Sequence, residues 1–209
     1  MALVAAAAAV GSGAWLIHTG VRTSAPVRPS AADAWPSTWP GASPDPTAAA
    51  PAAVGMGFSK PARIRIPSIG VDAPITEIDL DGAGNLPAPS ADDRNLAGWY
   101  RQSAAPGTVG NAVVDGHVDT AAGPAVFYGL GTLHRSDVID ILRADRSTAE
   151  FTVDAVEVHP KNAVPGDQVY GDTDRPQLRL ITCGGPYTRG AGYQGSVVVY
   201  AHFSRAVPA

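Results

Sequence analysis

Residues 150–158, Glu150-Phe151-Thr152-Val153-Asp154-Ala155-Val156-Glu157-Val158, alternate polar and apolar side chains with a period of two. A strand sends successive side chains to opposite faces, so the run reads as a strand with one face on a core and the other on solvent, continuing to His159. Ala62 to Ile66, Val71 to Ile75, Asn111 to His117, Val138 to Leu142, Gln177 to Thr182 and Ser196 to His202 are short strands of the same kind. Asp81-Gly82, Pro106-Gly107, Pro165-Gly166 and Gly184-Gly185 supply turns between them. Helical periodicity is confined to short stretches near Asp92 to Ala97 and Val126 to Leu130. The part from Phe58 onward, about 150 residues, suffices for one core, and many short strands with little helix predict a closed β-barrel or a sandwich.

Working toward the N-terminus, residues 22–57 form a different block. Pro26, Pro29, Pro36, Pro40, Pro44, Pro46 and Pro51 lie among Ala, Ser, Thr and Gly. Such a composition buries too little to offset the entropy of ordering, which predicts an extended, solvated linker. Trp35 and Trp39 are its large apolar groups, with the domain or a lipid interface as docking partners. Before it, Ala2 to Ile17 carries no charge and the apolar stretch extends to Val21. Three readings fit residues 1–21: a short membrane span, an export signal with Thr23-Ser24-Ala25 resembling a cleavage site, or a buried Ala-rich helix. The first two place the rest of the chain outside the cytoplasm. Arg22 and Arg28 follow the apolar run and no basic residue precedes it, the reverse of the usual bias for that orientation. A start codon upstream of Met1, adding a basic segment, would reconcile the two.

Composition excludes several functions. The 209 residues carry a formal charge of -4 and no Lys/Arg-rich run, which argues against nucleic-acid binding. No phosphate-cradling loop or dinucleotide fingerprint is present, and Asp79, Asp81, Asp92 and Asp93 lack the spacing of a calcium loop. One cysteine makes no internal disulfide and no cysteine-based zinc site. No metal or cofactor is expected.

That cysteine, Cys183, ends the segment Leu178-Arg179-Leu180-Ile181-Thr182-Cys183 just before Gly184-Gly185-Pro186. A small buried core residue and a nucleophile at a strand-to-turn edge are both consistent with this position. An unpaired thiol outside the cytoplasm is a liability unless used, which favours the second reading. A cysteine nucleophile needs a proton partner. Of the five histidines, His18 lies in the apolar segment, His134 follows a turn, and His159 and His202 close strands. His117, in Asp115-Gly116-His117-Val118-Asp119, ends a strand as Cys183 does.

Leu180-Ile181-Thr182-Cys183-Gly184-Gly185 and Gly116-His117-Val118-Asp119 resemble the two signature segments of sortases, the transpeptidases that attach proteins to Gram-positive cell walls. Pro61 to Ile75 resembles the first strands of the actinobacterial branches. Ala97-Gly98-Trp99-Tyr100 with Pro106 to Ala112 resembles the stretch leading to the histidine strand, and the Thr-Cys-Gly-Gly turn is most similar to the class F branch. The resemblance spans residues 60 to 202. It implies a closed barrel of about eight strands with short helices on residues 58–209, preceded by an apolar N-terminal helix and a disordered stalk.

For chemistry it implies that Cys183 attacks a Thr-Gly bond in a Leu-Pro-x-Thr-Gly-like sorting signal to give a thioacyl enzyme. His117 would serve as general acid and then base, and Arg189 would steady the oxyanion. Arg189 is the one arginine between Cys183 and the last strand, in a shortened Tyr187-Thr188-Arg189-Gly190-Ala191-Gly192-Tyr193 loop, and Ser196 stands where a polar amide is expected. Arg179 shares a face with Ile181 and Cys183 by alternation and is the second candidate. Thr182 and Asp119 would contact substrate, with Asp115 and Asp119 flanking His117. Implied partners are signal-bearing surface proteins, an amine acceptor such as a peptidoglycan precursor, and the membrane through the N-terminal segment. An L,D-transpeptidase or extracellular cysteine peptidase, and a sortase-like barrel that only binds wall polymers or proteins, are the other readings.

Overall fold

The computed structural model describes residues 25–35 and 54–209. The expected N-terminal helix over residues 1–21, most of the 22–57 linker and Trp39 lie outside these described residues. Among them, no helix is long and apolar enough to cross a membrane.

The described residues form ten strands: β1 (Pro61–Ile66), β2 (Val71–Ile78), β3 (Ala97–Tyr100), β4 (Gly110–Gly116), β5 (Asp119–Thr120), β6 (Gly123–Pro124), β7 (Val138–Arg143), β8 (Thr148–Pro160), β9 (Pro176–Thr188) and β10 (Gly192–Val207). One helix, α1 (Gly166–Tyr170), and three 3-10 turns complete the elements. Eight strands close into a barrel in the order β1-β2-β3-β4-β9-β10-β8-β7, with β7 returning to β1, while β5 and β6 form a separate ribbon. Closure pairs every edge, which removes the exposed backbone groups that an open sheet would present.

The long alternating run is β8, and its alternation matches its burial: Phe151 and Val153 point inward, Thr152 and Asp154 are half-buried. Its inward residues join Ile64, Ile66, Trp99, Val114, Phe127, Leu130, Ile141, Leu178 and Leu180 in the barrel interior. Trp99 satisfies its indole N–H on the carbonyl of Ala104 at 3.1 Å, so the largest interior side chain leaves no orphan donor.

A second apolar cluster covers the outer face of the sheet. Val113 of β4, Ile181 of β9, Val198 and Tyr200 of β10, Ala155 of β8 and Val169 of α1 are buried together, with Trp35, Leu86 and Tyr100 packed against them. Asn111 ties α1 to β4 by donating Nδ2 to the carbonyl of Val169 at 2.7 Å. The β4–β9 sheet is therefore packed on both sides, its outer face covered by α1, Trp35 and Leu86 rather than bare.

Two strand expectations need revision. Asp92 to Ala97, expected as a short helical turn, contains turns and then β3, which pairs parallel to β2 and antiparallel to β4. The Gly184–Gly185 turn is instead part of β9, which runs on through Thr188 and pairs with β10.

Residues 25–35, inside the segment expected to be a solvated stalk, lie on the barrel. Asp33 is buried; its carboxylate accepts from His134 Nδ1 at 2.8 Å and from the Arg135 backbone N–H at 3.1 Å, and its carbonyl accepts from Val156 N–H at 2.8 Å. Trp35 donates its backbone N–H to Glu157 and sets its ring edge-on to Tyr200 at 6.0 Å, so the docking expected of Trp35 is on the domain. These few anchors are what proline-rich composition does not reveal.

Candidate active site

Strands β4 and β9 run parallel, with Val113 opposite Arg179 and Asp115 opposite Ile181. Carrying that register forward by two residues sets His117 level with Cys183 on neighbouring strands, about 4.8 Å apart in the pairing direction. Residues in register across a sheet share a face, and Val113 and Ile181 belong to the outer cluster. By that register His117 and Cys183 share the outer face, at the edge of the apolar cluster. Thr182, one residue before Cys183 and 2% exposed, points the other way and donates Oγ1 to the carbonyl of Gly116 at 2.7 Å, locking the strands at this level.

Gly116 is required where it stands. A Cβ there would lie 2.6 Å from the Phe127 ring and 2.7 Å from Val126, so only glycine lets the β4 end pass over that corner of the core. His117 Nε2 lies 2.8 Å from the carbonyl of Pro89. A carbonyl only accepts, so Nε2 carries the proton and Nδ1 is left to exchange one with a neighbour.

Cys183 is exposed and not in the core, but it lies inside β9 opposite Ser196 of β10 rather than at the strand-to-turn edge expected from Gly184-Gly185. Burial of its thiol pushes its pKa up, and the carboxylates of Asp115 and Asp119 push the same way; the Lys161 ammonium pulls it down but does not prevail. The resting group is a thiol.

The expected partners are distributed unevenly. Asp119, in β5, accepts the Tyr193 hydroxyl at 2.5 Å and so fastens the β9–β10 hairpin beside His117. Tyr193 and Tyr187 meet edge to face at 5.2 Å in the same hairpin. Neither Asp115 nor Asp119 takes the Nε2 proton of His117, which goes to Pro89. Arg179 is buried on the outer face: Nε donates to the carbonyl of Gln168 at 3.0 Å, the terminal nitrogens to the carbonyl of Leu178 and to Gln177 Oε1, and the guanidinium stacks 4.8 Å from the Tyr200 ring. Burial lowers its pKa to about 10, which leaves it charged at neutral pH, yet it is four residues or about 13 Å along the strand from Cys183. Arg189 lies in the turn of the hairpin, exposed and six residues or about 20 Å of extended chain beyond Cys183. The structure does not bring either arginine to the pair.

Lys161 was not anticipated. The register runs Cys183–Ser196–His159 and Gly184–Gly195–Pro160 across β9, β10 and β8, and Lys161 follows Pro160 directly. Two strand spacings, about 10 Å, are within reach of a lysine side chain reaching inward. The only sequence signal was the turn after β8; its nearness to Cys183 depends on β10 lying between. In the same row, His159 bonds Tyr200 Oη at 3.0 Å and Glu157 at 3.1 Å and is satisfied there.

The strap of residues 25–35 reaches this end of the barrel. Pro26, Val27, Arg28 and Pro29 close over a cleft of only about 10 Å³ together with Phe127, Tyr128, Thr182, Cys183 and Gly185. The fit over Gly131 is close: a Cβ there would sit 2.3 Å from the carbonyl of Val27. Among the described residues no cluster of His, Cys, Asp and Glu is arranged to hold a metal ion.

The structure is a closed barrel with an exposed thiol on β9 and an imidazole just past the end of the neighbouring β4. The chain belongs to the sortase family: the sortase-domain model matches residues 64–204. Sortase A from Corynebacterium diphtheriae is similar in structure at 25% identity and a TM-score of 0.54, over 70% of this chain and 61% of that one. Sortase C-1 from Actinomyces oris (22% identity, TM-score 0.53, 69% and 73% covered) and sortase A from Listeria monocytogenes (17%, 0.54, 72% and 90%) share the fold. This chain therefore spans about three fifths of the corynebacterial protein it matches. Comparison with curated protein sequences gives no match.

Proposed function

We propose that this chain is a cysteine transpeptidase of the class F branch that cleaves a Leu-Pro-x-Thr-Gly-like sorting signal and transfers it to an amine at the cell wall. The observation that carries the reading is the parallel β4–β9 register, which, carried two residues past Asp115–Ile181, brings His117 to the level of the exposed Cys183. In the first half-reaction His117 Nδ1 takes the thiol proton as Sγ attacks the threonine carbonyl carbon. The tetrahedral intermediate then collapses, the C–N bond to glycine breaks, and His117 returns the proton to the leaving amine, leaving a thioester on Cys183. In the second, the acceptor amine attacks the thioester, its proton passes to His117, and the thiol is restored.

Lys161 is the cation that acts on the thiol in this resting geometry. Arg189 would join the oxyanion only if the β9–β10 hairpin folded toward Cys183, and Thr182 and Asp119 shape the site around the substrate. Residues 1–21 would hold the chain in a membrane with residues 58–209 on the outer side, the position in which surface proteins and a peptidoglycan-derived amine meet.

The test is to incubate the full chain with a library of sorting-signal peptides and an amine, then search for a thioacyl adduct by mass spectrometry. An adduct on the wild type, none on Cys183→Ala and strongly reduced formation on His117→Ala is the expected result. Absence of adduct on every peptide with the wild type would overturn the proposal.

A further inference from the structure

The chain that carries His117 runs Gly116-His117-Val118-Asp119, from the last residue of β4 to the first of β5. It is tied at both ends to the strand pair that carries Cys183. At one end the Thr182 hydroxyl of β9 donates to the carbonyl of Gly116 at 2.7 Å. At the other the Tyr193 hydroxyl of β10 donates to Asp119 Oδ2 at 2.5 Å, the short distance of a hydrogen bond onto a carboxylate. Thr182 is next to Cys183 in sequence, and Tyr193 stands three residues before Ser196, which faces Cys183 across the ladder. Between the two ties lie His117 and Val118 alone.

The second tie is not needed to build either element it joins. β9 and β10 are already laddered there, Tyr193 opposite Tyr187, and β5 is already paired with β6. The Tyr187 ring, edge to face at 5.2 Å, fixes the direction of the phenol. Burial and the bond to Asp119 push the Tyr193 phenol above its ordinary pKa, so it stays a donor at neutral pH. On its other side the link hangs on the segment that follows β6, where the backbone N–H groups of Ala125 and Phe127 reach the carbonyls of Val118 and His117 at 3.0 Å. With Pro89 taking the Nε2 proton at 2.8 Å, these bonds hold the imidazole to its own surroundings, but none of them refers it to the thiol. Thr182 and Tyr193 do, because both sit on the strands that hold Cys183.

We infer that Tyr193 is a positioning residue for the acyl transfer: through its bond to Asp119 it sets the placement of His117 relative to Cys183. The inference rests on the transpeptidase reading above and adds a residue to its machinery. Tyr193 need not touch the reacting atoms. Without its hydroxyl the link is referred to β9 and β10 at the Gly116 end alone, and it can shift about that end together with the segment it hangs on. Proton transfer between imidazole and thiol then slows, while the peptide still binds.

The experiment uses the full chain, a sorting-signal peptide on which the wild type forms a thioacyl adduct, and single-turnover rates over a range of peptide concentration. Tyr193→Phe, which keeps the ring and its contact with Tyr187, should lower the saturating rate about tenfold, less than the roughly 100-fold cost of a full 1 Å misplacement. Half-saturation should stay within about twofold, the split expected of an interaction that acts on the chemical step. Asp119→Ala removes the same bond from the other side, and Asp119→Asn, whose amide oxygen still accepts the phenol, should recover part of that loss. The double variant Tyr193→Phe/Asp119→Ala should be no slower than the slower single, because one bond is lost once. Rates are taken well below each variant's Tm, so a loss of stability alone moves none of them. Should Tyr193→Phe fail to fold, recovery in Asp119→Asn supports the inference and equal rates for Asp119→Ala and Asp119→Asn overturn it. A Tyr193→Phe rate within about twofold of wild type, or losses that multiply in the double variant, overturns the inference while the transpeptidase reading stands. No adduct from wild type on any peptide overturns both.

Discussion

Replacing Thr182 with valine removes one hydrogen bond at the point where β4 and β9 are locked. Thr182 is 2% exposed and its hydroxyl donates to the carbonyl of Gly116 at 2.7 Å. Valine keeps the shape, so little cavity forms; the loss is that of a buried acceptor deprived of its donor, about 1–3 kcal/mol. In a domain of about 150–250 residues each kcal/mol moves Tm by about 2–4 °C, so the expected fall is roughly 2–12 °C. Gly116 immediately precedes His117, so the same loss also loosens the imidazole relative to the thiol. A displacement of about 1 Å at a reacting pair costs up to about 100-fold in rate, which predicts slower thioacylation as well as lower stability. Calorimetry on the full chain gives the first number and single-turnover adduct formation the second. A Tm within about 1 °C of wild type, with an unchanged thioacylation rate, would refute the claim that this bond sets the level of the pair.

Four further outcomes follow from the same geometry. Lys161→Ala should raise the Cys183 pKa and slow its alkylation at neutral pH by roughly two- to fivefold, as loss of a solvent-screened charge does, while Arg189→Ala leaves the pH profile of alkylation in place. Arg179→Ala should lower the urea midpoint, because it leaves the carbonyl of Gln168 without its donor and Tyr200 without its stacking partner, a cost of about 1–3 kcal/mol, with no change in thiol reactivity. Gly116→Ala should destabilise by about 1–3 kcal/mol through overlap with Phe127 and Val126, read by urea unfolding. The Asp33–His134 pair holds His134 above its ordinary pKa and Asp33 below its own, so the anchor is lost as pH rises through the raised His134 value or falls through the lowered Asp33 value. Hydrogen exchange at the amides of residues 25–35 should therefore accelerate, beyond its intrinsic pH dependence, as pH rises through the raised His134 value in wild type and not in Asp33→Asn, and equal ratios in the two would count against the anchor.

How much was legible in the sequence differs by element. The alternation of residues 150–158 is written by a sheet wet on one side and packed on the other, so β8 is readable from local pattern alone. β3 was not: Ala97-Gly98-Trp99-Tyr100 has buried residues at three successive positions and no period of two, because both of its faces are covered. The ends of β9 and β10 were hidden by glycines, which read as a turn yet sit in a hairpin ladder. Cys183 and His117 were identifiable by residue type and by the segments around them, although Cys183 lies inside β9 and not at its end, and their alignment depends on a parallel pairing of residues 66 positions apart, which no local pattern carries. Lys161 was missed for the same reason, since its nearness to the thiol passes through two strand pairings. The strap was masked by proline-rich composition, whereas its attachment depends on one carboxylate, Asp33, and one indole, Trp35.

The pairing of β4 with β9 also determines what the protein can tolerate. Side chains on a strand alternate in direction, so a slip of β9 by a single residue against β4 would turn the thiol into the barrel and bring the Thr182 hydroxyl out to the outer face. Between the two strands, by contrast, the chain makes β5 to β8 and α1 without setting the distance between His117 and Cys183. Insertions in the exposed turn at Asp145–Arg146, or a relocation of the chain ends to that turn, should leave the reacting atoms where they are. The chemistry is in this sense insulated from chain length and exposed to register: a long insertion at that turn is tolerable, and a one-residue deletion inside β9 is not.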